Sequence, residues 1–297
     1  MIDLRTEGPG ECPPDAHPQA EAGSTAGTKG VALVTGGSRG LGRAVALGLG
    51  AAGFAVAVLA RSANALEEAR CEIERQGVPS AAYVADVTDP IAVARAVAAA
   101  ENALGPISTL VNNAGTSLAV GPMWEVDAHD WWTDVQTSLG GTFNLCRSVI
   151  PGMIARRRGR ILNVSSYAGV RASPYQNGYG CAKAAVTNLT ESLAASLSAH
   201  GVQVFAITSG FVHTDLNRRL TESAWLPEAR TRDNADLSPF VRLAVMLALG
   251  HADALNGRFL HALDDVSELL RQIDMVDRDE LYVLRLRRAP DLQIWHI

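Results

Sequence analysis

The run Val31-Ala-Leu-Val-Thr-Gly-Gly-Ser-Arg-Gly-Leu-Gly42 decides the fold. Its first five residues, Val31–Thr35, form a short apolar strand, and the Ala/Leu/Gly-rich Leu41–Ala52 that follows has helical composition. Between them Gly36, Ser38, Arg39, Gly40, Leu41 and Gly42 make a strand-to-helix loop. Glycines there permit a tight turn, let backbone approach a pyrophosphate and allow the helix to pack closely on the strand. The helix start supplies free N–H groups and the positive end of a dipole. A glycine-rich loop alone is weak evidence. Placed after a first strand and before a helix, it points to dinucleotide binding rather than to a plain turn.

Working outward, the pattern alternates. Strands are expected at Ala55–Ala60, Ala81–Ala85, Ile107–Asn112, Ile161–Ser165, Val202–Thr208 and Gly257–Ala262. Helices are expected at Ala63–Gln76, Ile91–Leu104, Asp130–Ala155, Gly178–His200 and Pro239–Leu249. Short apolar strands alternating with helices give βαβ units, a parallel sheet covered on both faces and, with right-handed crossovers, a doubly wound α/β fold in one domain. Residues 1–28 carry several prolines and glycines and little apolar content, so a disordered tail is expected. The domain then covers 29–262, and residues 263–297 form an extension packed on the domain or on a partner, with a helix at Val266–Ile273. The alternation Leu281-Tyr-Val-Leu-Arg-Leu-Arg287 reads as an edge strand or a strand added to a partner. Thr214–Ser238, polar and turn-rich with Leu220 and Trp225 as apolar anchors, reads as a lid over a substrate.

Composition narrows the function. The chain has 297 residues, is 47% hydrophobic and carries a net charge of -5. Its scattered arginines give no nucleic-acid footprint. Arg156-Arg157-Arg158 reads as a solvated helix end. No apolar run is long enough for a membrane span, and no signal-peptide pattern opens the chain. Cys12, Cys71, Cys146 and Cys181 show no metal or disulfide spacing. A soluble cytoplasmic protein is expected.

The second expected strand ends Leu59-Ala60-Arg61-Ser62, with no carboxylate. An acid at that place suits the free ribose hydroxyl of NAD, whereas cations suit the 2′-phosphate of NADP. Arg61, with Arg39 from the loop, therefore favours NADP over NAD. Asp86 and Val87, after the third strand, stand where a carboxylate can meet the adenine amino group.

Only two lysines occur among 26 basic residues, and one of them, Lys183, follows Tyr179 by four positions. Lysine is a compact point charge that can sit beside a phenol, where arginine is a planar fork. On a helix the two share a face, and the ammonium is expected to lower the phenol pKa until it can pass protons near neutrality. The other tyrosines of this region, Tyr167 and Tyr175, are assigned to the pocket wall or to packing. Trp131 and Trp132 are read as core and interface residues.

Thr35-Gly-Gly-Ser-Arg-Gly-Leu-Gly42, Asn112-Asn-Ala-Gly115, Asn163-Val-Ser-Ser166 and Tyr179-Gly-Cys-Ala-Lys183 stand in the order and spacing of the short-chain dehydrogenases/reductases, and the chain resembles that family over residues 30–262. The resemblance implies a Rossmann fold and a nicotinamide cofactor. It implies Tyr179 as general acid, Lys183 on the nicotinamide ribose and Ser166 on the substrate oxygen. It implies Asn113, Ala114 and Gly115 along the cofactor, and Gly210, Val212 and Thr214 around its nicotinamide end. It also implies a homodimer or homotetramer built on the two long helices. Two positions depart from the family pattern. Ser138 stands where the family places an asparagine that helps hold a relay water, and Ser209 replaces the proline before Gly210. A serine can hold a water through its hydroxyl or its carbonyl.

The resulting expectation is an NADP-dependent reductase of a ketone or other small-molecule carbonyl substrate, or the reverse alcohol dehydrogenase. The alternatives are a tailoring enzyme that uses the scaffold for epimerisation, dehydration or cyclisation, and a non-catalytic NADP-binding sensor.

Overall fold

The computed structural model describes residues 27–231 and 236–285. Strands β1 (Val31–Thr35), β2 (Ala55–Ala60), β3 (Ser80–Val84), β4 (Ile107–Asn112), β5 (Gly159–Val164), β6 (Val202–Thr208) and β7 (Phe259–His261) form one sheet in the order β3-β2-β1-β4-β5-β6-β7. Every pairing is parallel. Around it lie α1 (Gly40–Ala51), α2 (Ala63–Glu74), α3 (Pro90–Leu104), α4 (Ala128–Val135), α5 (Gly141–Arg156), α6 (Asn177–Leu197), α7 (Arg218–Glu222), α8 (Ser238–Leu249), α9 (Val266–Arg271) and α10 (Ile273–Arg278). This is the doubly wound Rossmann arrangement, and its strands read as unbroken apolar runs because helices cover both faces.

The two-residue period of β1 shows how the faces divide. Ala32 and Val34 join a core with Val45 and Leu49 of α1 and Phe240 and Leu247 of α8. Val31 and Leu33 join the opposite core with Val93 and Val97 of α3, Leu145 and Val149 of α5, and Leu197 of α6. The chain runs outward through β2 and β3, then returns to lay β4 on the free side of β1. That reversal leaves a crevice at the carboxyl ends of β1 and β4, the place where such sheets bind ligands.

Two expectations are corrected. The helix expected over Asp130–Ala155 is divided by a π-helical turn at Gln136–Gly140, closed by the Gly141 N–H on the Gln136 carbonyl. The extra residue shifts the helix face and carries Ser138 inward, to 0% exposure. The alternation from Leu281 is not a strand over its described part, through Arg285. Glu280 (φ 48°) and Tyr282 (φ 61°) lie in the left-handed region, which an extended strand excludes. Instead the Phe259 N–H donates to the Tyr282 carbonyl at 2.7 Å, so this segment covers the outer edge of β7. Val266 and Val276 anchor α9 and α10 in the α1/α8 core. Residues 286 and 287 of the alternation, and 1–26 of the expected tail, lie outside the described residues. Among the described residues no helix is long and apolar enough to cross a membrane.

Candidate active site

The glycine loop takes the conformations its composition allows. Gly36 (φ +63°) and Gly40 (φ +54°) turn the chain from β1 into α1. Gly42 lies so close to the loop that a Cβ there would stand 2.3 Å from the Gly36 carbonyl oxygen and 2.4 Å from Asn113 Nδ2. Asn113, just past β4, donates through Nδ2 to the carbonyls of Thr35 (3.0 Å) and Gly36 (3.3 Å). The Thr35 hydroxyl oxygen accepts from the Asn113 and Ala114 N–H groups, both at 3.0 Å. The loops after β1 and β4 are thus one hydrogen-bonded unit. Ser38 is buried beneath the turn, and Arg39 is exposed above it.

On the other side of the crevice β5 delivers Ser166, whose hydroxyl oxygen accepts from the Ala168 N–H at 3.2 Å and caps a short turn, Tyr167–Gly169. That turn rests directly on the α6 backbone. A Cβ on Gly169 would meet the Lys183 carbonyl carbon and the Ala184 nitrogen at 2.6 Å, and one on Gly180 would meet the Ala168 carbonyl oxygen at 2.9 Å. Ser165 adds a hydroxyl bond to the Lys183 carbonyl at 3.1 Å. Backbone-to-backbone packing of this kind brings Ser166, Tyr179 and Lys183 together. Ser166 lies near enough to the Tyr179 phenol to lower its pKa, and Lys183 Nζ lies 5.5 Å from the centre of the Tyr179 ring.

The electrostatics differ from expectation. Burial pushes the Tyr179 phenol up to about 12; the nearby Ser166 hydroxyl opposes this, and the Asp134 charge adds to it. Burial pushes the Lys183 ammonium down from 10.5 to about 8. The lysine is 3% exposed and donates to the Val164 carbonyl at 2.7 Å. Desolvation disfavours the charged form of both groups, and at this separation it outweighs their mutual attraction.

Ser138 faces the same space. A Cβ on Gly115 would stand 3.2 Å from Ser138 Oγ, 3.7 Å from Lys183 Nζ and 3.8 Å from the Leu216 side chain. The Ser138 hydroxyl is buried without a hydrogen-bond partner, while its carbonyl accepts from the Thr142 hydroxyl at 2.7 Å. A buried polar atom left open in this way marks a place for a polar ligand atom or a water.

Residues 30–225 match the family model described as short chain dehydrogenase. The chain belongs to the short-chain dehydrogenase family. The gluconate 5-dehydrogenase of Gluconobacter oxydans is 34% identical over 77% of this chain and 91% of its own length. An NAD+-bound xylitol dehydrogenase superposes with a TM-score of 0.73 at 29% identity, over 79% of this chain and 97% of its own. A variant of actinorhodin polyketide ketoreductase with NADPH gives 0.73 at 27% identity, over 80% and 96% of the two chains. The chain is thus a short-chain dehydrogenase of the oxidoreductase class.

The residues present fit a dinucleotide of the kind held by those two solved structures. The first turn of α1 has no side-chain cap and no acidic residue, so its N–H groups face the crevice unneutralised. Leu41 is half-buried in that turn. The α2 start is alike: Ser62 makes no cap bond and the first turn holds no acid. Arg61 there reaches only to Asp86, at 3.9 Å. Asp86 also accepts from the Thr88 N–H and hydroxyl, and these bonds hold its carboxyl below the usual range against burial, which raises it. Val87 is buried on Gly141, and its carbonyl accepts from Asn144 at 2.9 Å. Beyond β6, Gly210 (φ +79°) lies beside His261, the Val212 carbonyl accepts from Asn217 at 2.8 Å, and the Thr214 methyl lies 3.7 Å from where a Gly40 Cβ would be.

Sequence reading of this short-chain dehydrogenase missed three groups. Asp134 is fully buried, and both its oxygens accept from the Leu118 N–H at 2.8 and 3.0 Å, with the Ala119 N–H at 3.1 Å. Burial raises its pKa, and those bonds oppose the rise. The signal was a carboxylate four residues before Ser138, on one helical face. Gln176, also buried, donates to Ser117 at 2.8 Å. Asp215 ion-pairs with Arg39 at 2.5 Å. Tyr175 stacks on Trp225 (centroids 5.7 Å apart), and Tyr167 packs on Phe259 and His261. Trp131 donates to Asn177 at 2.7 Å and packs on Gly178, and Trp132 is exposed.

Proposed function

We propose that this chain is an NADP-dependent reductase of a ketone or related carbonyl, or the corresponding secondary-alcohol dehydrogenase. The observation that carries the reading is the convergence of Ser166, Tyr179 and Lys183, with Lys183 Nζ 3.7 Å from where a Gly115 Cβ would stand. The nicotinamide, when bound, supplies hydride to the carbonyl carbon or accepts it. Tyr179, protonated at neutral pH, gives its phenolic proton to the carbonyl oxygen. Ser166 orients that oxygen and donates to it as its charge grows. Lys183 holds the ribose and offsets the negative charge left on the phenol. Ser138, through its open hydroxyl, holds a water that returns a proton by way of Lys183.

Gly36, Ser38, Gly40, Leu41, Gly42, Asn113, Ala114 and Gly115 form the pyrophosphate and ribose wall, Asp86 and Val87 the adenine end, and Gly210, Val212 and Thr214 the nicotinamide end. Arg39, Arg61 and the uncapped start of α2 favour the 2′-phosphate, so NADP is preferred over NAD. The substrate lies between Ser117–Val120, the Gly169–Tyr175 loop and the segment from Thr214, whose Trp225 suits a partly apolar compound. Residues 29–262 act as the catalytic domain with 263–297 as its extension. Exposed Trp132 and Phe143 support self-association through the α4–α5 run and α6, and sedimentation is expected to return a dimer or tetramer of the 31.4 kDa chain. Cys71, Cys146 and Cys181 carry thiols rather than disulfides, which suits a cytoplasmic setting.

The test is oxidation of NADPH and of NADH against a panel of ketones, quinones and enones, with Tyr179→Phe as control. The reading expects NADPH-linked turnover that falls by about 10²–10⁴-fold in the variant while cofactor binding persists. Tight NADPH binding with no hydride transfer to any panel member would instead favour a non-redox tailoring role.

A further inference from the structure

The segment after β6 crosses the crevice under two arginine contacts. Arg219 Nη1 binds the Asp130 carboxylate at 2.5 Å and the Leu118 carbonyl at 2.8 Å, on the substrate side. Asp215 binds Arg39 Nη1 at 2.5 Å, on the cofactor side. Arg39 and Asp215 are both exposed, at 70% and 50% of their side chains, so neither is committed to this pair by burial. The pair joins residues 176 positions apart, and Thr214, the neighbour of Asp215, stands over Gly40, the neighbour of Arg39.

From this geometry we infer that Asp215 is a specificity-determining residue for the cofactor: it occupies Arg39, and a 2′-phosphate must displace it. The inference rests on the reading of Arg39 as a phosphate ligand. A guanidinium can serve the carboxylate or a phosphate in bidentate fashion, but a phosphate placed beside an ionised carboxylate is repelled by it. NADPH therefore binds only as the Arg39–Asp215 contact opens, while NADH, which lacks the 2′-phosphate, binds with the contact intact. Two consequences follow. The preference for NADPH is smaller than Arg39 and Arg61 alone would give. The segment from Thr214 is also loosened on its cofactor side by NADPH and not by NADH, with Arg219 still holding the substrate side.

The experiment measures dissociation constants of NADPH and NADH for the full chain, for Asp215→Asn, Asp215→Ala and Arg39→Ala, and for the Arg39→Ala/Asp215→Ala pair. An exposed ion pair is weak, so removing Asp215 is expected to tighten NADPH by about threefold to fivefold. NADH should be unmoved, and the gain should vanish in the Arg39→Ala background. Arg39→Ala weakening NADPH while the Asp215 variants leave it unchanged, weaken it, or shift NADPH and NADH alike would overturn the displacement and spare the phosphate reading. Arg39→Ala that leaves NADPH affinity untouched would remove the phosphate reading itself, and the displacement with it.

Discussion

Lys183 shows what burying a charged site costs the fold. Its ammonium is buried with one carbonyl partner, which lowers its pKa from 10.5 to about 8. The unfolded chain therefore holds the extra proton between those two pH values, and stability rises with pH across that window, by up to tenfold in the folding equilibrium per pH unit. Below about 8 the penalty is present in full. Tyr179 acts with the opposite sign: its pKa is raised from 10.0 to about 12, so its contribution is present below 10 and lost as pH climbs toward 12. A Tyr179→Phe background separates the two. Urea unfolding of Tyr179→Phe and of Tyr179→Phe/Lys183→Met between pH 7.5 and 10.5 is expected to show the first gaining on the second as pH rises (window set by the values above). A constant gap would mean that Lys183 stays charged in the fold. At this scale the sequence was legible in identity but not in energy. Spacing put Tyr179 and Lys183 on one face, yet only the fold shows that the burial of both outweighs their attraction. Asp134 stayed hidden because a carboxylate inside a helical run reads as solvated until its N–H partners in the next loop are seen.

Elements are where glycine does more than turn the chain. The turn Tyr167–Gly169 touches α6 backbone to backbone, and the contact sets the distance from Ser166 to Tyr179 and Lys183. Gly169→Val would put a branched side chain where even a Cβ lies 2.6 Å from the Lys183 carbonyl carbon. The expected result is a loss of about 1–3 kcal/mol of stability with a fall in turnover, because α6 must move away from β5. Gly140→Ala, in the π-helical turn with nothing within 4 Å of its Cβ, serves as the control and should keep both. Thermal unfolding and turnover with NADPH report the two effects; equal tolerance at both sites would disprove the close-packing argument. The strands were legible because burial on both faces demands apolar runs. The π-helical turn was not, since Gln136-Thr-Ser-Leu-Gly140 has no residue that demands an extra backbone step. It becomes evident only from the i→i+5 bond and the buried Ser138.

For the whole molecule, the question is what ends the sheet. β3 and β7 are its edges, and β7 has only three residues. Alternation from Leu281 suggested another strand, and hydrophobic periodicity cannot distinguish a strand from an irregular segment whose consecutive side chains Leu281 and Tyr282 pack on one core. The left-handed Glu280 and Tyr282 bend the chain so that a single carbonyl, that of Tyr282, reaches the Phe259 N–H. Val276, fully buried, ties that segment to the α1/α8 core. The extension therefore protects the edge beside β6, from which the loop carrying Gly210 and Thr214 departs. Val276→Ala removes two buried carbons and should cost about 2 kcal/mol. Deleting residues from 279 onward should leave the sheet assembled but free the Phe259 N–H. Amide exchange at Phe259 is then expected to accelerate in the deletion far more than at Val204, inside the sheet, and NADPH affinity should weaken as the β6 loop loses support. Unchanged exchange at Phe259 would show that the edge is protected by something other than Tyr282.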